Sequence, residues 1–411
     1  MTAIPESVAR ILDELSSSAG DFRSARTMPS EVYTSQEFFE FEWDSIFTKE
    51  WLCLGHVSQV PEPGDYYSLT VGREPLIVTR GLDGEVRVLS AICQHRGYPI
   101  LDNGETGNAK RLRCPYHYWS YDLDGQLASA PEMSQTCPLD QLKAETSLPK
   151  LKTEIWYGFI FATMNHAAKP LGPTLKKLEP EVKAFDTERM TVVRTLDFPG
   201  LPWNWKGMHE NGLEPYHTMF VHKGFHDTAP ASKATFVDWD DEDGQVMHPT
   251  GYLSMDAGFA PGGVPLLPII PGLDDERRSR ITFASIPPIG FFAFSPDQVF
   301  IFLVLPEGVD SLTLRATWLF PEESIKSPHF QWGLDIQNHI NGVINEQDFV
   351  TNTRMQRGQR SRYVKRGRYS HQEGTLPQFN NWLIKRYRAA ADLVAADPAA
   401  DGAASTAHTG R

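Results

Sequence analysis

The hydrophobic and polar positions of this chain fall into successive textures. Phe39, Trp43, Ile46 and Phe47 recur at i, i+4, i+7 and i+8, which predicts a helix with Ser35 as its N-cap. Residues 1–30 are polar and serine-rich, and are expected to form an arm with little structure of its own. From about 51 to 163 the apolar runs become short and are broken by turn signals at Pro61–Gly64, Asp83-Gly84 and Asp124-Gly125. Leu76–Arg80 and Val86–Ser90 are predicted to pair as a hairpin around Asp83-Gly84, and Ile155–Met164 to form a further strand. Together they predict a small all-β module.

Beyond His166 the texture is mixed. Leu171–Phe185 is predicted to carry a helix, Thr191–Phe198 a strand, and the acidic stretch Asp238–Gly244 a surface loop. Phe292–Phe294, Val299–Leu305 and Leu312–Phe320 have the continuous apolar character of buried strands, the first two joined by Pro296-Asp297. Helical patterns run from Pro328 to about Met355 and over Gln378–Val394. Strands followed by long helices indicate an α+β domain. The tail from Ala395 is alanine-rich and is expected to be disordered.

A chain of 411 residues is long enough for two domains, and 41% hydrophobic with 22% charged residues is a globular composition. The net charge of −13 argues against a nucleic-acid partner, whose phosphates need a cationic face. It is compatible with a basic redox partner or a cationic substrate, but an acidic balance is common and the ordinary needs of solubility explain it better. The first thirty residues carry scattered charges and no export signal, and no run approaches the ~18 apolar residues of a membrane span. Four cysteines do not make a disulfide scaffold. A cytoplasmic protein without a membrane partner is expected.

The chemistry is concentrated in two clusters. In the first, Cys93-Gln94-His95-Arg96-Gly97 precedes Cys114-Pro115-Tyr116-His117. Two thiolates and two imidazoles can hold zinc or iron. Zinc modules generally pair like ligands, whereas each half here supplies one of each. That division suits a [2Fe–2S] cluster with both thiolates on one iron and both imidazoles on the other, which raises the potential to about −150 to +300 mV. Gly97 is expected to permit close backbone approach and Pro115 to stiffen the second loop. Cys53 and Cys137 lack such partners and read as buried structural thiols.

In the second cluster, Glu214 and His217 are spaced i, i+3, which would place them on one helical face, and a helix break would swing His222 back towards the same ion. Two histidines and one carboxylate are the facial set of non-haem Fe(II) sites, although zinc would also accept them. His209 lies nearby, and His226 is a rival ligand.

These motifs resemble the Rieske non-haem iron aromatic-ring-hydroxylating oxygenases, catalytic (alpha) subunit, over roughly residues 30–390. The resemblance rests on C-x-H-R-G, C-P-x-H-x-W ending at Trp119, the Tyr121–Leu127 hairpin, and the Asn204-Trp205-Lys206 opening before Glu214, His217 and His222. It rests also on Asn345-Glu346-Gln347-Asp348-Phe349 with Gln356-Arg357-Gly358. It implies a Rieske domain at 51–165 and, at 166–394, a helix-grip-like catalytic domain with an antiparallel sheet around a C-terminal helix. An N-terminal arm and helix (1–50) would pack on the catalytic domain, and 395–411 would be a tail.

Cys93, His95, Cys114 and His117 would hold one [2Fe–2S] cluster per chain. His217, His222 and Asp348 would hold one Fe(2+), with Glu346 and then Asp335 as alternatives for the carboxylate. Glu214 would bridge His117 of one chain to His217 of the next in a homotrimer, or a trimer with small subunits. Electrons would come ultimately from NAD(P)H through a separate reductase or ferredoxin. With O₂, they would hydroxylate or oxidatively dealkylate a small aromatic or quaternary ammonium substrate. The pocket is expected to draw on Phe220, Phe225, the Gly258–Pro271 loop as a lid, and Phe291–Phe294, with a lean to the monooxygenase branch. The competing readings are a Rieske electron carrier and a ligand-binding protein without oxygenase activity.

Overall fold

The computed structural model describes residues 4–396. Near the N-terminus it departs from expectation. Glu6–Glu14 is helical and runs into a 3₁₀ turn, Leu15–Ser18. Val8, Ile11 and Leu15, at i, i+3 and i+7, form a buried stripe. The charged residues between them, Arg10, Asp13 and Glu14, and the serines on either side hide this short stripe in the sequence. Asn380 and Arg366 then fasten the segment by donating to Ser18, Thr27 and Glu14. The Gln36–Glu42 helix forms as predicted, with the Ser35 hydroxyl accepting from the Phe38 N–H, and continues through a π turn over Trp43–Phe47.

The β module consists of three small antiparallel sheets. Asp65–Val71, Glu74–Arg80, Val86–Ser90 and Thr106–Asn108 form one; Arg111–Arg113, Ser120–Asp122 and Leu127–Ser129 another. The predicted Ile155–Met164 strand is instead two, Lys152–Trp156 and Phe159–Thr163, which pair with each other, the second also pairing with Leu52–His56. Tyr157 and Gly158 both have positive φ (48° and 85°) and close a tight hairpin between them.

The second half is built on a six-stranded antiparallel sheet in the order Thr191–Leu201, Ser311–Phe320, Gln298–Gly308, Gly290–Ser295, Arg280–Ile286, Val246–Gly251. The last two strands carry no clear signal in the sequence. One face of the sheet supports the 30-residue helix Phe330–Gln359, through Phe320 against Phe330 and a hydrogen bond from Gln337 to Asp297. The other face packs on the β module, where Phe292 meets Phe159 edge to face. Burial on both faces explains the unbroken apolar runs of the central strands. The predicted 171–185 helix is broken into a 3₁₀ turn, Gly172–Leu175, and a short helix, Glu179–Ala184. The C-terminal helix, Thr375–Ala396, lies against the N-terminal segment; the expected tail beyond it lies outside the described residues.

The Asn204-Trp205-Lys206 opening has a structural role. Lys206 and Glu42 form an ion pair at 2.7 Å with both side chains fully buried, and the Trp205 N–H also donates to Glu42. Burial lowers the Lys206 pKa against the attraction of Glu42. Removing one member of such a pair strands the other in the core. The motif therefore bolts the N-terminal helix to the second half.

Candidate metal centres

Cys93 and Cys114 lie at the bases of two loops with the same hydrogen-bond closure. Gly97 N–H donates to Cys93 O and Tyr118 N–H to Cys114 O, both at 3.0 Å; Cys93 N–H donates to Tyr98 O and Cys114 N–H to Trp119 O, both at 2.9 Å. The residue four beyond each cysteine is left-handed, Gly97 at φ 71° and Tyr118 at φ 61°. A side chain at Gly97 would meet nothing within 4 Å, so the glycine serves backbone conformation rather than the close approach expected.

Both thiols are buried. Burial pushes the Cys93 thiol pKa up, while the Tyr121 hydroxyl, 3.3 Å from its sulfur, favours the thiolate. The rings of His95 and His117 lie 4.6 Å apart, and His95 stacks on Trp119. Burial, His117 and Arg96 hold the His95 pKa down, and its Nδ1 is buried without a hydrogen-bond partner. Two converging thiols and an orphaned neutral imidazole nitrogen fit a metal–sulfur cluster. Cys53 is buried as expected; Cys137 is only half-buried.

At the second cluster, Glu214–His217 is a turn between the Lys206–Gly212 and Thr218–Val221 helices, not part of one helix. The i, i+3 proximity survives because the Glu214 carboxylate accepts from the His217 backbone N–H at 3.0 Å, as a capping residue does. The second helix then ends at His222 (φ −114°, ψ 57°), the predicted break. The structure brings together His217, His222 and Asp348, with one ligand atom from each within 4.8 Å of the others. Glu346 and Asp335 point away, Glu346 exposed and Asp335 facing Arg194. His226 turns to Thr218, and His209 is sealed in the core between Ser285 and the Pro288 carbonyl.

Proton placement supplies the test of fit. His217 donates from Nδ1 to Glu214 at 2.6 Å, and His222 donates from Nδ1 to the Gln347 side-chain oxygen at 2.7 Å. A neutral imidazole has one N–H, so each ring turns an Nε2 lone pair towards Asp348, at 3.6 Å and 2.9 Å. Lone pairs facing a carboxylate repel unless a cation lies among them. Burial lowers the His217 pKa, but Glu214 and Asp348 raise it overall, so the two carboxylates favour positive charge at this point. Asn211 donates to Asp348 at 3.2 Å and fixes the carboxylate. These residues fit a divalent metal with its histidines oriented from behind.

Above the triad is a cavity of about 110 Å³. Phe225, Phe259, Phe283, Phe291, Phe300 and Phe302 wall it, with Asn341 and Asn345 on the long helix. Of the expected pocket residues, Phe225 and Phe291 line it and the 258–271 loop supplies Phe259. Phe292 and Phe294 face the opposite side of the sheet, against Phe159 and Phe185, and Phe220 is exposed. Phe300 and Phe302 were missed as lining residues, although alternation within their strand was the available signal. Asn211, His248 and Gln347 were also missed; Gln347 lies inside the Asn345–Phe349 motif, and nothing in the sequence alone marks the other two. A second cavity, about 230 Å³, reaches Glu214 and His217 from the other side.

A family model for the ring hydroxylating alpha subunit (catalytic domain) matches residues 179–389, and one for the Rieske [2Fe-2S] domain matches 50–151. The oxygenase subunit of carnitine monooxygenase from Acinetobacter pittii is 34% identical over 51% of this chain and 56% of its own length. The chlorobenzene dioxygenase alpha subunit from Cupriavidus sp. is 36% identical over 45% of this chain and 41% of its own. The matched segments thus span about half the length of these curated relatives. A crystal structure of a quaternary ammonium Rieske monooxygenase with an inhibitor superposes with a TM-score of 0.75 at 23% identity, covering 94% of this chain and 99% of that one. Naphthalene 1,2-dioxygenase from Rhodococcus sp. bound to indole also gives 0.75, at 20% identity, covering 94% and 98%.

Proposed function

From the premise that this chain belongs to the ring-hydroxylating alpha-subunit family, with a Rieske domain ahead of its catalytic domain, we propose that it is the terminal oxygenase of a multicomponent system. Its cofactors are a [2Fe–2S] cluster and a mononuclear iron. In this reading Cys93 and Cys114 hold one iron of the cluster and His95 and His117 the other. His217, His222 and Asp348 hold the mononuclear iron. Residues 51–165 and 166–394 are the two functional domains, with 1–50 packed on the second.

The observation that carries the reading is the pair of imidazoles whose Nδ1 protons are turned outward, to Glu214 and Gln347, so that both Nε2 atoms face Asp348 beneath an aromatic cavity. When bound, the cluster supplies single electrons and the iron supplies O₂ activation. The protein's own residues do the rest. Gln347 and Asn211 hold ligand geometry, the phenylalanine wall excludes water, and Glu214 holds the His217 proton at Nδ1.

Three chains arranged head to tail would bring one chain's cluster to its neighbour's iron. Tyr98, Tyr116 and Tyr118 stand exposed around His95 and His117, and Glu214 lines the second cavity, so the two surfaces suit such a meeting. Glu214 would then link His117 of one chain to His217 of the next. Electrons come from a separate reductase or ferredoxin, and the substrate is a small aromatic or quaternary ammonium compound. No helix among the described residues is long and apolar enough to cross a membrane; we place the protein in the cytoplasm.

Iron analysis with a product assay tests the proposal. About three irons per chain are expected, two in the cluster and one mononuclear. With a reconstituted donor, O₂ uptake should depend on substrate and yield an oxygenated product. Two irons per chain and no product would leave an electron carrier.

A further inference from the structure

Oxygenation of a substrate takes O₂, two electrons and two protons, whether one oxygen atom enters the product and the other leaves as water, or both enter the product. The donor protein supplies the electrons. The cavity over the triad holds no reserve of protons. Its titratable side chains are Glu214, His217, His222 and Asp348, committed to the metal site, and His248, which burial keeps neutral with a pKa of about 4.

The second cavity, about 230 Å³, is different. Glu210, Glu214 and Glu373 line it with Tyr33 and Tyr369, and no lysine or arginine does. Asn352 is 1% exposed and lines it too, yet neither its amide nitrogen nor its oxygen meets a partner among the described residues. The Trp203 indole N–H, in the same wall, is likewise unpaired. Buried polar groups are normally paired, and unpaired ones around a roomy polar cavity are where bridging waters bind. Among the described residues only the triad brings three ligand atoms together, so this cavity is shaped for water rather than for a second metal.

Glu210 is the acid of this wall, four residues before Glu214. It accepts from the Tyr33 hydroxyl at 2.6 Å. Lys206 attracts its charge but is paired with Glu42, which repels it. Tyr369 and Tyr387 also face it, and burial keeps both phenols neutral. Burial outweighs Tyr33 and Lys206 and lifts the Glu210 pKa to about 7, so the group exchanges its proton near neutrality.

Resting on the oxygenase reading of the triad, we infer that the second cavity is the proton reserve of the reaction, in which Glu210 holds a proton and waters bridged by Asn352 and Trp203 lead it to Glu214 behind His217. Glu210 gives up one proton, becomes a carboxylate and is reprotonated from solvent between turnovers. It touches no reacting atom and acts through Glu214.

Infrared titration of the oxidised holoenzyme tests the acid without turnover. A carboxylic C=O band should vanish with a midpoint near pH 7 and be missing from Glu210→Gln. Tyr33→Phe removes the hydroxyl that favours the ionised form, and should move the midpoint up. Unchanged cluster absorbance and iron content would show that the variants are folded and loaded. Mixing reduced enzyme with O₂ and chlorobenzene or carnitine as probes then tests delivery. Product formation by the parent should slow as pH rises through about 7, where Glu210 loses its proton. Glu210→Gln should be at least about tenfold slower below that pH and flat across it, and Glu210→Asp should restore the dependence. Asn352→Leu should slow product formation while keeping the band. A band that survives in Glu210→Gln, or a Glu210→Gln enzyme with the parent's rate and pH profile, would overturn the inference. If the band behaves as stated but donor-supplied enzyme oxygenates neither probe nor any compound in a wider screen, the proton site stands and the oxygenase reading falls.

Discussion

The two candidate metal centres solve the same problem by opposite routes. The cluster residues lie within a span of 25, on two loops closed by matching backbone hydrogen bonds, and their histidines reach towards solvent. The triad draws His217 and His222 from a broken helix and Asp348 from a helix more than a hundred residues later, and is held by side chains. A backbone-closed loop carries its geometry locally, so its spacing is readable. A site assembled through side chains depends on the whole domain. The two should therefore fail independently and for different reasons.

Stripping a ligand gives the largest effect. His222→Ala or Asp348→Ala should abolish product formation and remove about one iron per chain, with the reduced cluster's EPR signal intact. His95→Ala or His117→Ala should abolish that signal and leave the mononuclear iron. Loss of both centres from either pair of variants would break the independence.

Glu214→Gln comes next. The amide keeps the volume but loses the charge-assisted acceptor for the His217 Nδ1 proton. Both centres should stay filled and the cluster reducible, while product formed per electron delivered falls at least about tenfold, as for other partners of metal-bound histidines. Loss of the iron would make Glu214 a ligand, and turnover at the parent rate would mean another group carries the bridge.

Gln347→Ala sharpens the contrast, because the described structure gives His95 no such support. Iron affinity at the triad, read by chelator competition, should weaken about 10- to 100-fold. An unaffected affinity would leave the His222 orientation to packing.

Acid gives the smallest and most diffuse effect. Burial lowers the pKa of His209 and His248, both in the catalytic half, to about 4 from the usual 6.5. A depressed folded pKa contributes stability that is fully present above pH 6.5 and lost as pH falls through about 4. Each histidine then costs about 1.4 kcal/mol per pH unit in that window, or several degrees of Tm at most. His209→Gln should flatten the melting-temperature profile between pH 6.5 and 4, and an unchanged slope would exclude His209 as its source.

Legibility followed the range of the interactions. The Ser35 cap, the Asp83-Gly84 hairpin and the cysteine–histidine loops are set within a few residues, and were readable as such. Leu171–Phe185 and Ile155–Met164 misled because an apolar run does not reveal where the backbone breaks; Tyr157-Gly158 was the missed turn. Val8, Ile11 and Leu15 went unread because three apolar positions among serines and acids gain meaning only from the C-terminal helix they cover.

By itself the sequence determined the candidate cysteine and histidine donors, the order of the two modules and the periodicity of the long helix, because these depend on residue type and spacing along one chain. The tertiary structure decided which carboxylate joins the histidines, since Asp348 and Glu346 share a helix and only the packing of its faces separates them. It decided too that Phe291 lines the cavity while Phe292 and Phe294 do not, because the strand's alternation fixes two faces but not what covers each.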